Sequence, residues 1–265
     1  MKKRPKEIKI SANKIRQAVN ADYRDALAFA MFIYILNPNT IFTITREELG
    51  KQLHMSSRKV NHLLDAAHNF SLIKYDKKTH RLQRFKLSSS RHNYALDPNK
   101  LINFTACKHW IIKCILMEGF DFSKYIYYLY KCRFKPDLKK KRSEAYELHK
   151  KARKVLKYND FINNNYYGHS YEWIAQKVGV SKSTIRSIIR EMIAEGLIAS
   201  KPNYKKVKIE NMDSITRQGL YLLNHEYGYN GFYRIINGEL YLQLGNYYDV
   251  LDTSILPKKK NFFEI

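Results

Sequence analysis

Acidic residues, cysteine and long apolar runs are what this sequence has little of. The three cysteines in 265 residues, Cys107, Cys114 and Cys132, are odd in number and sparse. That argues against a disulfide framework and for a reducing, cytoplasmic setting. No stretch approaches the ~18 consecutive apolar residues of a membrane span, so no membrane partner is expected. The opening MKKRPKEIKI is charged and lacks the apolar core of a secretory signal. None of the ten glycines opens a G-x-x-x-x-G-K-[ST] phosphate loop. His225-Glu226 has no second histidine at metalloprotease spacing, and no histidine pair flanks a strand as a nicking enzyme requires. The many tyrosines stand without the arginine and histidine assembly of a tyrosine recombinase. Cys107, His109 and Cys114 have the spacing of no common zinc site. The expectation is a protein that is not an enzyme, with no metal, no cofactor and no small-molecule ligand.

The shortage of acid is the strongest compositional signal. Twenty-four Asp and Glu face 48 Lys and Arg, for a net charge of +24 and a pI near 9.8. Such a chain repels itself unless a polyanion neutralises it, and nucleic acid is the obvious partner.

The most informative stretch is residues 170–198, SYEWIAQKVGVSKSTIRSIIREMIAEGLI. It reads as a helix over Tyr171–Val178 with Ile174, Ala175 and Val178 on one face. Gly179 ends it, since glycine enters the left-handed region at little cost. Ser181 caps a second helix, in which Ile185, Ile188, Ile189, Met192 and Ile193 repeat at i, i+3, i+4, i+7, i+8 as one buried stripe. The opposite face carries Lys182, Ser183, Arg186, Ser187 and Arg190. A small residue at Ala175, a glycine at Gly179 and an isoleucine at Ile185 resemble the helix-turn-helix family. The basic stretch 200–209 (SKPNYKKVKI) then reads as a hairpin, which resembles the wing of the winged-helix subfamily. A generic αα-hairpin is the plainer alternative.

A second copy precedes it. Residues 45–73, TREELGKQLHMSSRKVNHLLDAAHNFSLI, fall on 170–198 without a gap when shifted by 125. Leu49 meets Ile174, Gly50 meets Ala175, Val60 meets Ile185, and Leu72-Ile73 meet Leu197-Ile198. Thr45 and Glu48 form a capping box. A wing again follows, with a turn at Asp76-Lys77-Lys78 and a return over residues 81–87. His54 stands where the turn glycine should be, so this copy's turn is expected to be less sharp. Base recognition is therefore placed in the second copy, the first having drifted toward phosphate contacts or self-association.

The remaining organisation follows from apolar periodicity and breaks. Residues 1–12 read as a mobile basic arm. Residues 22–36 form a strongly apolar core helix stopped at Asn37-Pro38. Two helices, 104–117 and 122–133, flank a turn at Glu118-Gly119, the second rich in tyrosine and suited to packing or to stacking on single-stranded bases. Residues 131–157 hold twelve Lys and Arg against three acids, within a helix over 138–158. A short helix over 214–224 is followed by strands over 232–250 that turn at Asn237-Gly238. The expected fold is mainly α with small β wings (α+β), as tandem winged helix-turn-helix domains joined by a helical segment. Its parts are a basic arm (1–12), a first winged-helix domain (13–98), an aromatic-rich connector (99–135), a second winged-helix domain (136–256) and a basic tail (257–265).

The expected partner is double-stranded DNA. In the second module Ser181, Lys182, Ser183, Thr184, Arg186, Ser187 and Arg190 face the major groove, with Lys201, Lys205, Lys206 and Lys208 on the wing. In the first, Ser56, Ser57, Arg58, Lys59, Asn61 and His62 are equivalent, with Lys77, Lys78 and Arg81 on the wing. Two winged helices in a chain of this length resemble plasmid and phage replication initiators. That resemblance implies one module that reads repeated origin sites and another that dimerises or assists. A transcription regulator with the same readout is the alternative, and a structural or RNA- or single-strand-binding protein a further one. A homodimer is a candidate assembly, through the 22–36 helix or the tyrosine-rich helix.

Overall fold

Ile8 and Ile10 alternate with Lys9 at strand period, and both isoleucines are buried. They form β1 (Ile8–Ser11), antiparallel to β5 (Asn93–Leu96), with Ile8 opposite Leu96 and Ile10 opposite Tyr94. The expected mobile arm is thus, from Ile8 onward, a strand in a core. Four residues are too short a run to reveal their period, and the pairing partner is remote in sequence. The computed structural model describes residues 7–37, 39–90, 92–131, 168–207, 220–221 and 232–252; for 122–131 and Phe232 the description covers the backbone. Expectations for the 138–158 helix, for most of the 214–224 helix and for the tail at 257–265 lie outside the described residues. The architecture is mixed α and β with small antiparallel sheets, and the chain divides into two compact units. Among the described residues one unit comprises 7–119 and Asp252, and the other comprises 120–131 and those in 168–251.

In the first unit Ser11 ends β1 and caps α1 (Ala12–Gln17), its hydroxyl accepting from the Lys14 amide. Helix α2 (Ala21–Leu36) starts at Asn20, whose side-chain oxygen accepts from the amides of Asp22 and Tyr23. From Ala26 to Ile33 every α2 residue is buried, so the helix is apolar all round because protein surrounds it. The surface it offered for self-association is buried within the chain. Strand β2 (Ile41–Thr43), helices α3 (Arg46–Leu53) and α4 (Ser57–Asn69), and strands β3 (Ile73–Asp76) and β4 (Arg81–Arg84) follow. The sheet order is β2-β4-β3, all antiparallel.

The long helix α5 (Phe104–Lys131) runs without interruption through Glu118 and Gly119, where two helices and a turn were expected. Gly119 does not take positive φ. A single glycine inside a helix costs about 1 kcal/mol, which the packing of its neighbours offsets: Cys114 to Phe120 are all buried. Glu118 is among them, and its carboxylate accepts from Arg16 Nε at 3.1 Å and from the same guanidinium at 3.4 Å. The boundary between the compact units falls just after Gly119, so residues 104–119 of the expected connector belong to the first unit.

The second unit contains α6 (Tyr171–Val178), α7 (Lys182–Ala194), β6 (Ile198–Lys201), β7 (Tyr204–Lys206), β8 (Phe232–Ile236), β9 (Glu239–Gln243) and β10 (Tyr247–Val250). The expected hairpin over 200–209 does not form. Strand β6 pairs with β10, and β7 leaves it to join a separate sheet of order β7-β9-β8. The intervening residues are Pro202 and Asn203, neither at positive φ. A two-residue hairpin turn of the favoured type needs positive φ at both centres, which proline's ring forbids. The hairpin expected at Asn237-Gly238 does form, with φ of 52° and 77° and Ile236 opposite Glu239. Among the described residues no helix is long and apolar enough to cross a membrane.

Candidate nucleic-acid interface

The two helix pairs are built by the same local contacts. Thr45 caps α3 and closes a capping box with Glu48, whose carboxyl is held below its usual range by the Thr45 amide and hydroxyl. Ser170 caps α6 in the same place, accepting from the Trp173 amide at 3.2 Å. Helix α6 ends at Gly179 with φ 68° and ψ 45°, and α3 ends at His54 with φ 52° and ψ 46°. The less sharp turn expected of the first copy is therefore absent. His54 takes the glycine conformation and bears its steric cost. Met55 N–H then donates to Gly50 O at 2.9 Å, as Val180 N–H does to Ala175 O at 3.1 Å. A Cβ on Gly50 would lie 3.0 Å from the Met55 carbonyl oxygen, a tight approach that the turn would have to relieve by a small shift.

The correspondence continues into the strands. Ile44 N–H donates to His80 O at 3.0 Å, and His169 N–H to Asn246 O at 2.8 Å. Phe85 N–H donates to Leu72 O at 3.1 Å, and Leu251 N–H to Leu197 O at 2.9 Å. Ile73 pairs with Arg84 and Asp76 with Arg81, while Ile198 pairs with Val250 and Lys201 with Tyr247. The offset of 125 residues up to Ile73 and Ile198 becomes 166 at Arg84 and Val250. The second hairpin is the first with its four-residue tip, 77–80, replaced by residues 202–246. The β7-β9-β8 sheet lies in that insertion.

On α7, Ile185, Ile188, Ile189 and Met192 are buried. Ile193, expected in the same stripe, is 41% exposed. It falls at the edge of the stripe, and its counterpart in the first copy is the exposed His68. Ser181 caps the helix, accepting from the Thr184 amide at 3.1 Å, with the Ser183 and Thr184 hydroxyls each 2.8 Å from its own. Ser181, Lys182, Ser183, Arg186, Ser187 and Arg190 are exposed and Thr184 half-buried, so the structure brings this set together. Lys182 is paired with Glu172 of α6 at 3.2 Å, and Ser187 donates to Glu191 at 3.4 Å. Arg186 and Arg190 make no hydrogen bond or ion pair with any described residue. They lie one turn apart on the outward face.

The expected second-wing lysines are dispersed. Lys201 on β6 is 3.3 Å from Asp249, and Lys206 on β7 donates to Glu239. That hydrogen bond raises the Lys206 ammonium pKa and lowers the Glu239 carboxyl pKa. Lys205 is exposed on β7, and Lys208 lies outside the described residues. They are separated because β6 and β7 belong to different sheets.

In the first copy the buried stripe of α4 is Val60, Leu63, Leu64 and Ala67. Ser56 caps the helix; Ser57, Arg58, Lys59 and His62 are exposed and Asn61 is half-buried. Its hairpin forms as expected. Asp76 accepts from the Thr79 hydroxyl and the Lys78 amide, which lower its carboxyl pKa. Lys77, Lys78 and Arg81 are exposed around this tip, and Lys77 lies 3.6 Å from Asp65. The countercharges Asp65, Glu172, Glu239 and Asp249 escaped the sequence reading. Only Asp65 had a signal there, since the 125-residue shift places it on Arg190.

Two buried features flank the helix pairs. His169 stacks on Trp173 with ring centroids 4.6 Å apart and on Phe120 at 6.2 Å, and burial pulls its pKa down to about 4. Burial pushes the Cys107 thiol up to about 12 and also raises Cys114 well above the usual thiol range, which keeps both protonated and unreactive. Among the described residues no group of three His, Cys, Asp or Glu is placed to hold a metal ion. No family model, curated protein or solved structure matches the chain.

Proposed function

We propose that this chain is a sequence-specific, non-enzymatic double-stranded DNA-binding protein whose α7 enters the major groove. The observation that carries the reading is the outward face of α7, where Arg186 and Arg190 are exposed beside Ser183 and Ser187 and have no partner among the described residues. Arginine bonds guanine in bidentate fashion, and each such pair is worth about 1–3 kcal/mol of discrimination. The order α2-β2-α3-α4-β3-β4 supports a winged-helix reading of the first unit, and α6, α7, β6 and β10 repeat its second half. In this reading both units are winged helices, the second with an enlarged wing. The net charge of +24 supplies the sequence-independent attraction.

Within this reading the biological role is a replication initiator of a phage, plasmid or other mobile element that recognises repeated sites. A gel shift with duplex, single strand and RNA tests the DNA reading. Wild-type protein should favour duplex, and Arg186→Ala with Arg190→Ala should weaken it about tenfold or more. Equal binding to all three nucleic acids, or an unaffected double variant, would sink it. Selection of bound genomic fragments tests the role: direct repeats beside an AT-rich segment support an initiator, and an inverted repeat over a promoter points to a transcription regulator.

A further inference from the structure

The β7-β9-β8 sheet has no counterpart in the first unit. In its described strands only Leu240 is buried. Residues directly opposite each other share a face, so the register Lys206↔Tyr241↔Arg234 and Tyr204↔Gln243 puts Tyr204, Lys206, Arg234 and Tyr241 on the face away from Leu240. Tyr204, Lys206 and Arg234 are exposed and Tyr241 is half-exposed. The two tyrosine rings meet edge to face with centroids 6.2 Å apart. Glu239 fixes this face: one carboxylate oxygen accepts from the Tyr241 hydroxyl at 2.8 Å and the other from Lys206. Arg234 has no partner among the described residues, and Lys205 is exposed on the opposite face of β7. On the tyrosine face two cations, Lys206 and Arg234, stand against one acid, Glu239, around the aromatic pair.

An open sheet face with ring systems between cations suits unpaired bases, which stack on aromatics while their phosphates meet Lys and Arg. Duplex DNA hides its base faces and cannot use such a surface. We propose that the exposed face of this inserted sheet binds single-stranded DNA, with Tyr204 and Tyr241 stacking bases and Arg234 and Lys206 holding phosphates. The choice of DNA over RNA rests on the duplex reading of α7; the stacking does not.

The test measures fluorescence anisotropy of the full chain with oligothymidylate and oligouridylate of about 15 nucleotides, and with duplex containing its selected site. Tyr204→Ala with Tyr241→Ala should weaken single-strand binding about tenfold or more and leave duplex binding unchanged. Tyr204→Phe with Tyr241→Phe should retain single-strand binding, because the rings remain. Arg186→Ala with Arg190→Ala should do the reverse of the alanine pair, losing duplex and keeping single strand. Photocrosslinking of wild-type protein to 5-iodouracil-substituted single strand should label Tyr204 or Tyr241, which needs no variant to fold. Crosslinks confined to other residues, an alanine pair that binds single strand like wild type, or tighter binding to oligouridylate would each overturn the proposal. Loss of duplex binding alone in the arginine variant would leave this site standing, and loss of single-strand binding alone in the tyrosine-to-alanine variant would leave the α7 reading standing.

Discussion

Asp65 occupies on α4 the position that Arg190 occupies on α7, and its carboxylate lies 3.6 Å from Lys77 of the adjoining hairpin. The stripe Lys182, Arg186, Arg190 in the second unit is Ser57, Asn61, Asp65 in the first. One helix therefore carries three cations in a row, Lys182 paired with Glu172 and both arginines exposed, and the other carries in their place an acid that engages a wing lysine. Replacing Asp65→Arg should put a cation where Arg190 stands on α7 and release Lys77. Duplex binding by the full chain should tighten several-fold, with the slope of log K against log salt steeper by about 1–2 phosphates. Stability should change little, because an exposed ion pair contributes little. An unchanged salt slope would show that α4 does not approach DNA.

His54 holds the conformation of Gly179 without glycine's freedom. His54→Gly should stabilise the first unit by about 1 kcal/mol, the left-handed penalty being partly offset by glycine's greater unfolded-state entropy. Gly179→Ala should destabilise the second unit by a similar amount, since the new Cβ meets no atom within 4 Å but the φ of +68° remains. Urea denaturation followed separately in each unit reads both. A destabilised His54→Gly would mean that the imidazole makes compensating contacts.

The helix pairs were legible because their signals are local. Caps at Thr45, Ser56, Ser170 and Ser181, a stop at Gly179 and the apolar stripes each sit within a few residues of what they determine. Repetition at 125 residues then doubled every such signal. Strand pairing was legible only where a turn announced it, as at Asn237-Gly238. The partner of β6 lies beyond a long insertion, and only Pro202 hinted that no tight hairpin could close after Lys201. The single helix α5 was misread for a related reason: Gly119 resembles a stop in sequence, and only burial of the residues around it decides otherwise. The wing cations were legible as residues but not as a site, because acids that pair with Lys201 and Lys206 come from distant strands.

His169 gives the second unit a defined acid sensitivity. Its folded pKa of about 4 lies below the ordinary 6.5 because burial disfavours the imidazolium. The unfolded chain therefore binds a proton that the folded chain refuses. Stability from this group is fully present above pH 6.5 and is lost as pH falls from there toward 4. The displacement corresponds to on the order of 3 kcal/mol. His169→Phe retains a ring between Phe120 and Trp173 and removes the titration. Denaturation midpoints of the wild type should fall between pH 6.5 and 5 while those of the variant stay nearly level. The same slope in both would assign the acid sensitivity elsewhere.

The register on both sides of the insertion allows it to be removed. Asp76 and Arg81 pair across a four-residue tip, and Lys201 and Tyr247 form the equivalent pair across residues 202–246. Substituting the tip Lys77-Lys78-Thr79-His80 for 202–246 should therefore close β6 onto β10 without moving either strand. The Leu251 amide would still reach Leu197 O, and the cap that begins α6 would be untouched. Amide hydrogen exchange should show α7 as protected as in the full chain, and duplex affinity should persist while single-strand affinity falls. Rapid exchange throughout α7 would mean that the inserted sheet supports the helix pair, and that the second hairpin is not an enlarged copy of the first.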